Sequence, residues 1–258
     1  GRKLPDLHVL PDYCSSSAFS LRRYDVRSVL RHHNLAHPLD DLNVSSRPPY
    51  PNHPLGACML SSSSVEEAYH MAMVSHLASI KSSLPFINFF DGFRTSHEID
   101  KVKEIDLSKL ETLIDKKALR KFRDNGMISG ATTRGTAENE DVYFQHTESR
   151  NGYYTKAIDN VIYYMDKINK ICKTDYKPFN YYGDKSSDTV IIAMGSVCEC
   201  IEEVVDKLNT TGYNVGLVKV HLYRPFSINH LKEVLPKTVK QIAVLDRTKE
   251  PGSVGEPL

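Results

Sequence analysis

The spacing of apolar residues along this chain changes at residue 56. Up to residue 55 the apolar residues follow neither the two-residue period of a strand nor the 3.6-residue period of a helix, and the segment is rich in proline and arginine. Without a periodic apolar face there is nothing to bury in a core. We therefore expect residues 1–55 to be mostly irregular.

A helix and a strand are predicted soon after this change. Ser64 and Glu67 have the spacing of a capping box, in which the Ser64 hydroxyl accepts from the Glu67 amide and the Glu67 side chain reaches back to the cap. The apolar residues that follow recur near helical spacing and predict a helix over residues 65–81. An aromatic-rich apolar run then predicts a buried strand over residues 86–90, ended by the turn Asp91-Gly92.

The middle of the chain is predicted to be largely helical. The pattern predicts two short helices within 107–125, a connector over 127–141, and a helical segment over 142–172 that breaks near Asn151-Gly152. Residues 175–188 contain turn residues and show no clear period, so we expect a linker between two domains there.

The last third alternates between strand and helix patterns. It predicts strands over residues 189–194, 215–222 and 241–245, and helices over 197–209 and 228–235. This alternation is typical of a parallel sheet with right-handed crossovers. The sequence therefore predicts an α/β fold.

Composition narrows the class of protein. The chain has 258 residues, with 33 Lys and Arg against 32 Asp and Glu, so its overall charge does not favour a nucleic acid or an anionic membrane as a partner. No apolar run is as long as a membrane span, and the N-terminal residues lack the apolar core of a secretory signal. The five cysteines lack the spacing of a disulfide framework, which favours reduced thiols in an intracellular protein.

A polar cluster follows the strand predicted at 86–90. It comprises Arg94, Thr95, Ser96, His97 and Glu98. Ligands of open α/β sheets bind at the carboxyl ends of strands, so the cluster is a candidate for holding an anionic group or ordering a neighbouring domain. Alternatively, Thr95 or Ser96 is the N-cap of a helix and Glu98 lies in its first turn.

The cysteines and histidines give weaker candidates for chemistry. Cys198 follows Gly195-Ser196 at the start of a predicted helix, where the helix dipole lowers thiol pKa values. A plain strand-to-helix turn is the favoured interpretation, because no second catalytic group is recognisable nearby in the sequence. Cys198 and Cys200 point about 200° apart on a helix and so cannot bind one ion together; buried small side chains are the better interpretation. His32, His33 and His37 have no suitably spaced partner, and we expect a solvated loop there rather than a metal site.

Six longer blocks of sequence carry a resemblance to a known family. They are PFINFFDGFRTSHEIDKV, TRGTAENEDVYFQ, YKPFNYYG, VIIAMGSVCECIEEVVDKL, VKVHLYRPFS and IAVLDRTKEPGSVGEPL. These blocks resemble the pyruvate:ferredoxin (flavodoxin) oxidoreductases and their relatives, the pyruvate:NADP+ oxidoreductases. The resemblance runs from Gly56 to Leu258, in the family's order and spacing.

This resemblance implies a fold and a set of partners. It implies that residues 56–174 are the end of a pyrimidine-binding domain for thiamine diphosphate with a helical extension, that 175–188 are a linker, and that 189–258 begin a domain similar to the C-terminal domain of transketolase. Enzymes of this family oxidatively decarboxylate pyruvate using thiamine diphosphate, magnesium and iron–sulfur clusters. They transfer the acetyl group to coenzyme A, reduce ferredoxin or a related acceptor, and are usually homodimers.

The chain also departs from the family upstream of Gly56. The family's glutamate for the thiamine ring and its arginine for the pyruvate carboxylate have no matching positions here, so no catalytic residue and no metal ligand is transferred. Arg94 and His97 are kept only as candidates for supporting the residues that contact the cofactor. We expect the chain alone to bind none of these cofactors and to be inactive without the other domains or subunits.

Two alternatives to this function stay open: a non-catalytic module that binds related subunits, and a fragment of another 2-oxoacid oxidoreductase. We expect no nucleic-acid or membrane partner, and a location in the cytoplasm or in a mitochondrion-related, hydrogenosome-like organelle. The chain begins with Gly and stops in a loop, so we expect a piece of a longer polypeptide. The change at Gly56 suggests that residues 1–55 are translated out of frame or from an unspliced stretch.

Overall fold

Two sheets with helices packed on them make up the part of the chain that the computed structural model describes, residues 56–124, 139–246 and 258. The strands are β1 Cys58–Ser61, β2 Phe86–Phe89, β3 Phe179–Gly183, β4 Thr189–Ala193, β5 Val215–Val220, β6 Leu222–Arg224 and β7 Gln241–Val244. The helices are α1 Val65–Ser82, α2 Arg94–His97, α3 Leu107–Leu113, α4 Lys116–Asp124, α5 Glu140–Ser149, α6 Asn151–Cys172, α7 Val197–Thr210 and α8 Ile228–Val234.

The first sheet has the strand order β2-β1-β6 and packs against α1 and α6. β1 and β2 are parallel, and β6 runs antiparallel to β1. Buried apolar side chains of β1, β2, α1 and α6 form one core, with α1 lying against α6. The largest almost completely buried side chains of this core are Leu60, Met71, Phe86, Tyr164, Met165 and Ile168, together with Leu84, which precedes β2, and Leu222 of β6. Burial of this apolar area is the main stabilising contribution to this part of the molecule.

Helix α1 begins where the sequence predicts. The Ser64 hydroxyl accepts a hydrogen bond from the Glu67 amide at 3.2 Å, and the helix ends at Ser83, which has the left-handed φ of 55°. The predicted return contact of Glu67 to its cap is wrong. Its carboxylate instead accepts from the amide and the hydroxyl of Ser63, one residue further upstream.

The second sheet has the strand order β3-β5-β4-β7. β4 is parallel to both β5 and β7, which confirms the predicted parallel sheet, and β3 joins antiparallel to β5. Helix α7 packs on one face and α8 on the other, so each face of the central strands has its own buried apolar cluster. The α/β fold class predicted from the sequence is therefore confirmed.

The structure departs from the predicted elements at three places. β1 is not predicted from the sequence, and residues 175–188, where a linker is expected, contain β3 of the second sheet. The single strand predicted over 215–222 is two strands, and β6 leaves the second sheet to pair with β1 of the first. Leu222 is accordingly buried in the core of the first sheet.

Several predictions match the observed elements closely, and others lie outside the described residues. The two short helices predicted within 107–125 are α3 and α4, and the break predicted near Asn151-Gly152 falls between α5 and α6. Residues 1–55, which include His32, His33 and His37, and most of the connector predicted over 127–141 lie outside the described part. Among the described helices, none combines the length and the apolar character that crossing a membrane requires.

Candidate functional site

The carboxyl ends of strands from the two sheets face each other, and two polar turns meet there. Asp91 follows β2 of the first sheet, and Ser196 precedes α7, which follows β4 of the second. The Ser196 amide donates to the Asp91 carboxylate at 2.5 Å. Since the N-terminus of a helix favours negative charge, Asp91 occupies the place where α/β sheets commonly bind an anionic ligand.

Gly195 is required by this contact. Its φ is +82°, in the region that favours glycine, and a Cβ atom at this position would lie 2.7 Å from Oδ2 of Asp91. A side chain at residue 195 would therefore be strained and would also displace the carboxylate from the helix end.

A second polar bridge between the sheets centres on Glu67 of α1. Its Oε2 accepts from the Ser63 amide at 2.8 Å and the Ser63 hydroxyl at 2.5 Å. Its Oε1 lies 3.8 Å from Nζ of Lys219, on β5, and its Oε2 lies 3.5 Å from Nε2 of His221, which follows β5. Lys219 Nζ also lies 2.8 Å from the Glu202 carboxylate of α7. These charges link both sheets and α7.

Opposing effects fix the ionisation of this bridge. Burial disfavours the Glu67 carboxylate, yet its contact with His221, together with the hydrogen bonds from Ser63, lowers the pKa of Glu67 to about 2. Burial likewise acts to lower the pKa of Lys219, but its bond to Glu202 and the charges of Glu67 and Glu202 outweigh burial and raise that pKa. The Glu67 carboxylate and the Lys219 ammonium are both charged at neutral pH.

Two aromatic side chains connect the bridge to a further histidine. Nδ1 of His70 lies 2.9 Å from the Tyr176 hydroxyl, and the Tyr176 ring packs edge-on against His221 with the ring centroids 5.9 Å apart. Burial lowers the pKa of His70, partly offset by the charges of Glu66 and Glu67. A neutral His70 beside a neutral Tyr176 is the arrangement that this partly buried site favours.

The polar cluster predicted after β2 folds into a strained turn and one turn of helix. Phe93 has φ 68° and ψ −50°, and the Arg94 amide donates to the Gly92 carbonyl at 2.9 Å, which makes Phe93 the centre of the rare type of γ-turn. The Ser96 hydroxyl accepts from the Phe93 amide at 2.8 Å. The suggestion that Thr95 or Ser96 is an N-cap is wrong, because α2 begins at Arg94.

Arg94 and His97, the two residues singled out from the sequence, do not join the bridge between the sheets. Both side chains are exposed, with Nδ1 of His97 2.9 Å from the Ser96 hydroxyl. Thr95 alone of the cluster is buried, and its hydroxyl lies 3.4 Å from the Ser63 carbonyl oxygen. Sequence reasoning missed Glu67, Lys219, Glu202 and His221 as a group, since no local pattern relates residues so far apart in the chain.

Cys198 is a buried thiol rather than a reactive one. It is 1% exposed, and burial raises its pKa to about 12. Cys200 is exposed on the other side of α7, as the predicted divergence of the two residues requires. The interpretation that both cysteines are buried is therefore wrong for Cys200.

The junction of the two sheets binds a carboxylate of this chain, and the described residues hold no cluster of metal ligands. The Ser196 amide, at the N-terminus of α7, binds the Asp91 carboxylate. In residues 56–124, 139–246 and 258, His, Cys, Asp and Glu form no group of three or more that could hold a metal ion. What the arrangement does is join two sheets through buried charges.

Comparison with known families gives two matches, in chain order. A model described as pyruvate flavodoxin/ferredoxin oxidoreductase, thiamine diphosphate-binding, matches residues 41–166. A second model, pyruvate:ferredoxin oxidoreductase core domain II, matches residues 187–257. The two matches together include every strand of the two sheets except β3, which lies between the matched ranges.

Individual proteins in the same family are similar over 79% of this chain. The pyruvate-flavodoxin oxidoreductase of Enterobacter agglomerans is 51% identical over 204 residues, and the pyruvate:ferredoxin oxidoreductase of Moorella thermoacetica is 48% identical. The mitochondrial pyruvate dehydrogenase (NADP+) of Euglena gracilis is 43% identical. The chain spans only 17%, 17% and 11% of the lengths of these three proteins.

Proposed function

Because this chain belongs to the family of pyruvate:ferredoxin and pyruvate-flavodoxin oxidoreductases, of whose members it spans a part, we propose that it serves an enzyme that oxidatively decarboxylates pyruvate to acetyl-coenzyme A. The electrons pass to ferredoxin or a related acceptor. The observation that carries this proposal is the 51% identity over 204 residues to a pyruvate-flavodoxin oxidoreductase, with both family matches in order.

In this proposal the chain supplies the scaffold around the active site rather than its reacting groups. Support comes from the junction, where Asp91 and Glu67 fix the first sheet against the second. Arg94 and His97 extend from the turn that Asp91 anchors, and we assign them the role of supporting the residues that contact the cofactor. Thiamine diphosphate, magnesium and the iron–sulfur clusters are bound in the assembled enzyme, a homodimer.

Other properties of the assembled enzyme follow the same proposal. Its acceptor is ferredoxin, flavodoxin or NADP+, its acyl acceptor is coenzyme A, and it works in the cytoplasm or in a mitochondrion-related organelle. The chain alone, without the remaining parts of the enzyme, is expected to be inactive.

A segment-exchange experiment tests the proposal. Residues 56–258 replace the matching segment of the Enterobacter agglomerans enzyme, and the purified chimera is assayed for pyruvate-dependent, coenzyme A-dependent reduction of a viologen dye. We expect activity within about tenfold of the parent enzyme, because a segment that keeps the same junction positions the same active site. Assays with 2-oxobutyrate and 2-oxoglutarate test whether pyruvate is the preferred substrate.

A matched control shows whether the host enzyme tolerates replacement of this segment at all. The Moorella thermoacetica segment, which is 48% identical to this chain, is exchanged into the same host in the same way. The proposed function is wrong if the control chimera is active but the chimera with residues 56–258 is inactive, although it folds and binds its cofactors. Decarboxylation of pyruvate by the 258-residue chain alone would instead contradict the expectation that its reacting groups lie elsewhere.

A further inference from the structure

His221 lies where the chain leaves the second sheet and enters the first. It follows the last residue of β5 and precedes the first residue of β6, and its side chain is almost completely buried. Its Nδ1 lies 3.0 Å from the carbonyl oxygen of Lys177, and its Nε2 lies 3.5 Å from Oε2 of Glu67. Both ring nitrogens therefore face oxygen atoms.

Neither neutral form of this imidazole suits both neighbours. A carbonyl oxygen only accepts, so the contact with Lys177 requires a proton on Nδ1. In that tautomer Nε2 presents a lone pair to the Glu67 carboxylate, 3.5 Å away. This buried nitrogen lies within hydrogen-bond geometry of no acceptor, so its contact with Glu67 is one of charge. The other tautomer turns a lone pair towards the carbonyl oxygen at 3.0 Å. Only the imidazolium, protonated on both nitrogens, is favourable at both contacts.

Glu67 cannot relieve the conflict by holding the proton itself. Its Oε2, the oxygen that faces His221, accepts two hydrogen bonds from Ser63, and its Oε1 faces the Lys219 ammonium. All three contacts favour the carboxylate over the acid.

The net charge of the buried cluster that contains His221 also favours the imidazolium. His221 contacts Glu67 from α1 and Tyr176 from the segment before β3. Glu67 also faces Lys219 of β5, which binds Glu202 of α7. If His221 is neutral, the carboxylates of Glu67 and Glu202 share the single ammonium group of Lys219. If His221 is charged, the two negative and two positive charges cancel. Farther out, Glu66 acts on His70 and Glu199 on Glu67, and both add negative charge that favours the imidazolium.

We propose that His221 is a buried imidazolium, and that its proton on Nε2 holds Glu67 of α1 against the segment between β5 and β6. Loss of this proton would weaken the contact between the two sheets. The contact between His221 and Glu67 is thus a proton-dependent latch between the two sheets. The latch does not depend on the proposed enzymatic function.

Nitrogen NMR of the complete 258-residue chain tests the protonation state directly. With ¹⁵N-labelled histidine, both ring nitrogens of His221 are expected to show the shifts of an imidazolium at pH 7.5. The control is the same sample unfolded in urea, where imidazoles follow the ordinary histidine pKa of about 6.5 and are mostly neutral. The His221→Gln variant assigns the signals. A His221 that is neutral at pH 7.5 in the folded chain would overturn the proposal.

Two matched variants test the partner. Glu67→Gln removes the charge that faces Nε2 but keeps the size of the side chain and an acceptor for Ser63, so His221 is expected to lose the imidazolium shifts at pH 7.5. Glu202→Gln removes a neighbouring charge that binds Lys219 and leaves Glu67 in place, so the imidazolium shifts are expected to persist. An unchanged His221 in Glu67→Gln overturns the assignment. If Glu67→Gln does not fold, the protonation state of His221 at pH 7.5 in the unmutated chain is sufficient to support or overturn the proposal.

Urea unfolding across pH tests the loosening. The pH at which His221 loses its second proton is read from the NMR titration, and the urea midpoint of the unmutated chain is expected to fall as the pH rises through that value. The direction follows from linkage, because a contact that needs a bound proton contributes stability at low pH and loses it at high pH. The Glu67→Gln, His221→Gln double variant should lack this fall. A midpoint of the unmutated chain that stays constant through the titration would overturn the latch.

Discussion

Asp91 and Gly195 lie in turns of different sheets, yet each limits what the other position tolerates. The Asp91 carboxylate binds the amide that follows Gly195, and it occupies the space that a side chain at residue 195 would need. The sequence alone predicts the turn after each strand and the helix that follows Gly195. It cannot predict that the anion at this helix end is a carboxylate of the same chain, 104 residues away, because that pairing depends on how the sheets pack.

Gly195→Ala is expected to destabilise the chain by about 1–3 kcal/mol, because a positive φ and a blocked Cβ position act together. Gly212→Ala is the matched control, since Gly212 has φ +91° but no heavy atom within 4 Å of its Cβ position. We expect the control to lose about 1 kcal/mol, from backbone strain alone. The measurement is the urea midpoint of each variant. Equal losses in both would show that the contact with Asp91 does not constrain residue 195.

At the scale of elements, periodicity predicts the long helices well and the sheet connections poorly. The apolar period and the cap at Ser64 place α1 to within a residue, because both are local properties. β1 has only four residues, too few for alternation to stand out, and is a strand because β2 and β6 pair with it. The run 215–222 contains no turn signal at His221, so only the packing shows that it divides there between two sheets.

Helix α7 gives a prediction about its two cysteines. Cys198 is buried, with its pKa raised to about 12, and Cys200 is exposed. Because the thiolate is the reactive form, Cys198 in the folded chain should be alkylated by iodoacetamide at pH 8 at least about a hundredfold more slowly than Cys200. Mass spectrometry of each cysteine peptide over time measures both rates. In urea the two rates should converge. A Cys198 that reacts as fast as Cys200 in the folded chain would contradict its burial.

At the scale of the whole molecule, the two sheets are interlocked rather than joined by one linker. The chain enters the second sheet at β3, returns to the first at β6, and then comes back for α8 and β7. Buried charges reinforce this crossing, since Glu67 faces Lys219 and His221 across more than 150 residues of sequence. Separation of the sheets would expose the apolar face of β6 and leave those charges unpaired. We therefore expect the described part of the chain to unfold as a unit.

The response of this unit to acid follows from Glu67. Its pKa of about 2 in the folded chain lies below the ordinary value for Glu of about 4.3, so its contribution to stability is present above pH 4.3 and is lost as the pH falls towards 2. That difference corresponds to about 3 kcal/mol, which Glu67→Gln should remove. The free energy of unfolding, measured in urea at several values between pH 6 and pH 3, should therefore fall more steeply for the unmutated chain than for Glu67→Gln. Glu203→Gln, which removes an exposed charge from α7, is the control and should keep the steep fall. Parallel curves for the unmutated chain and Glu67→Gln would mean that acid acts on other carboxylates and that the junction does not depend on the charge of Glu67.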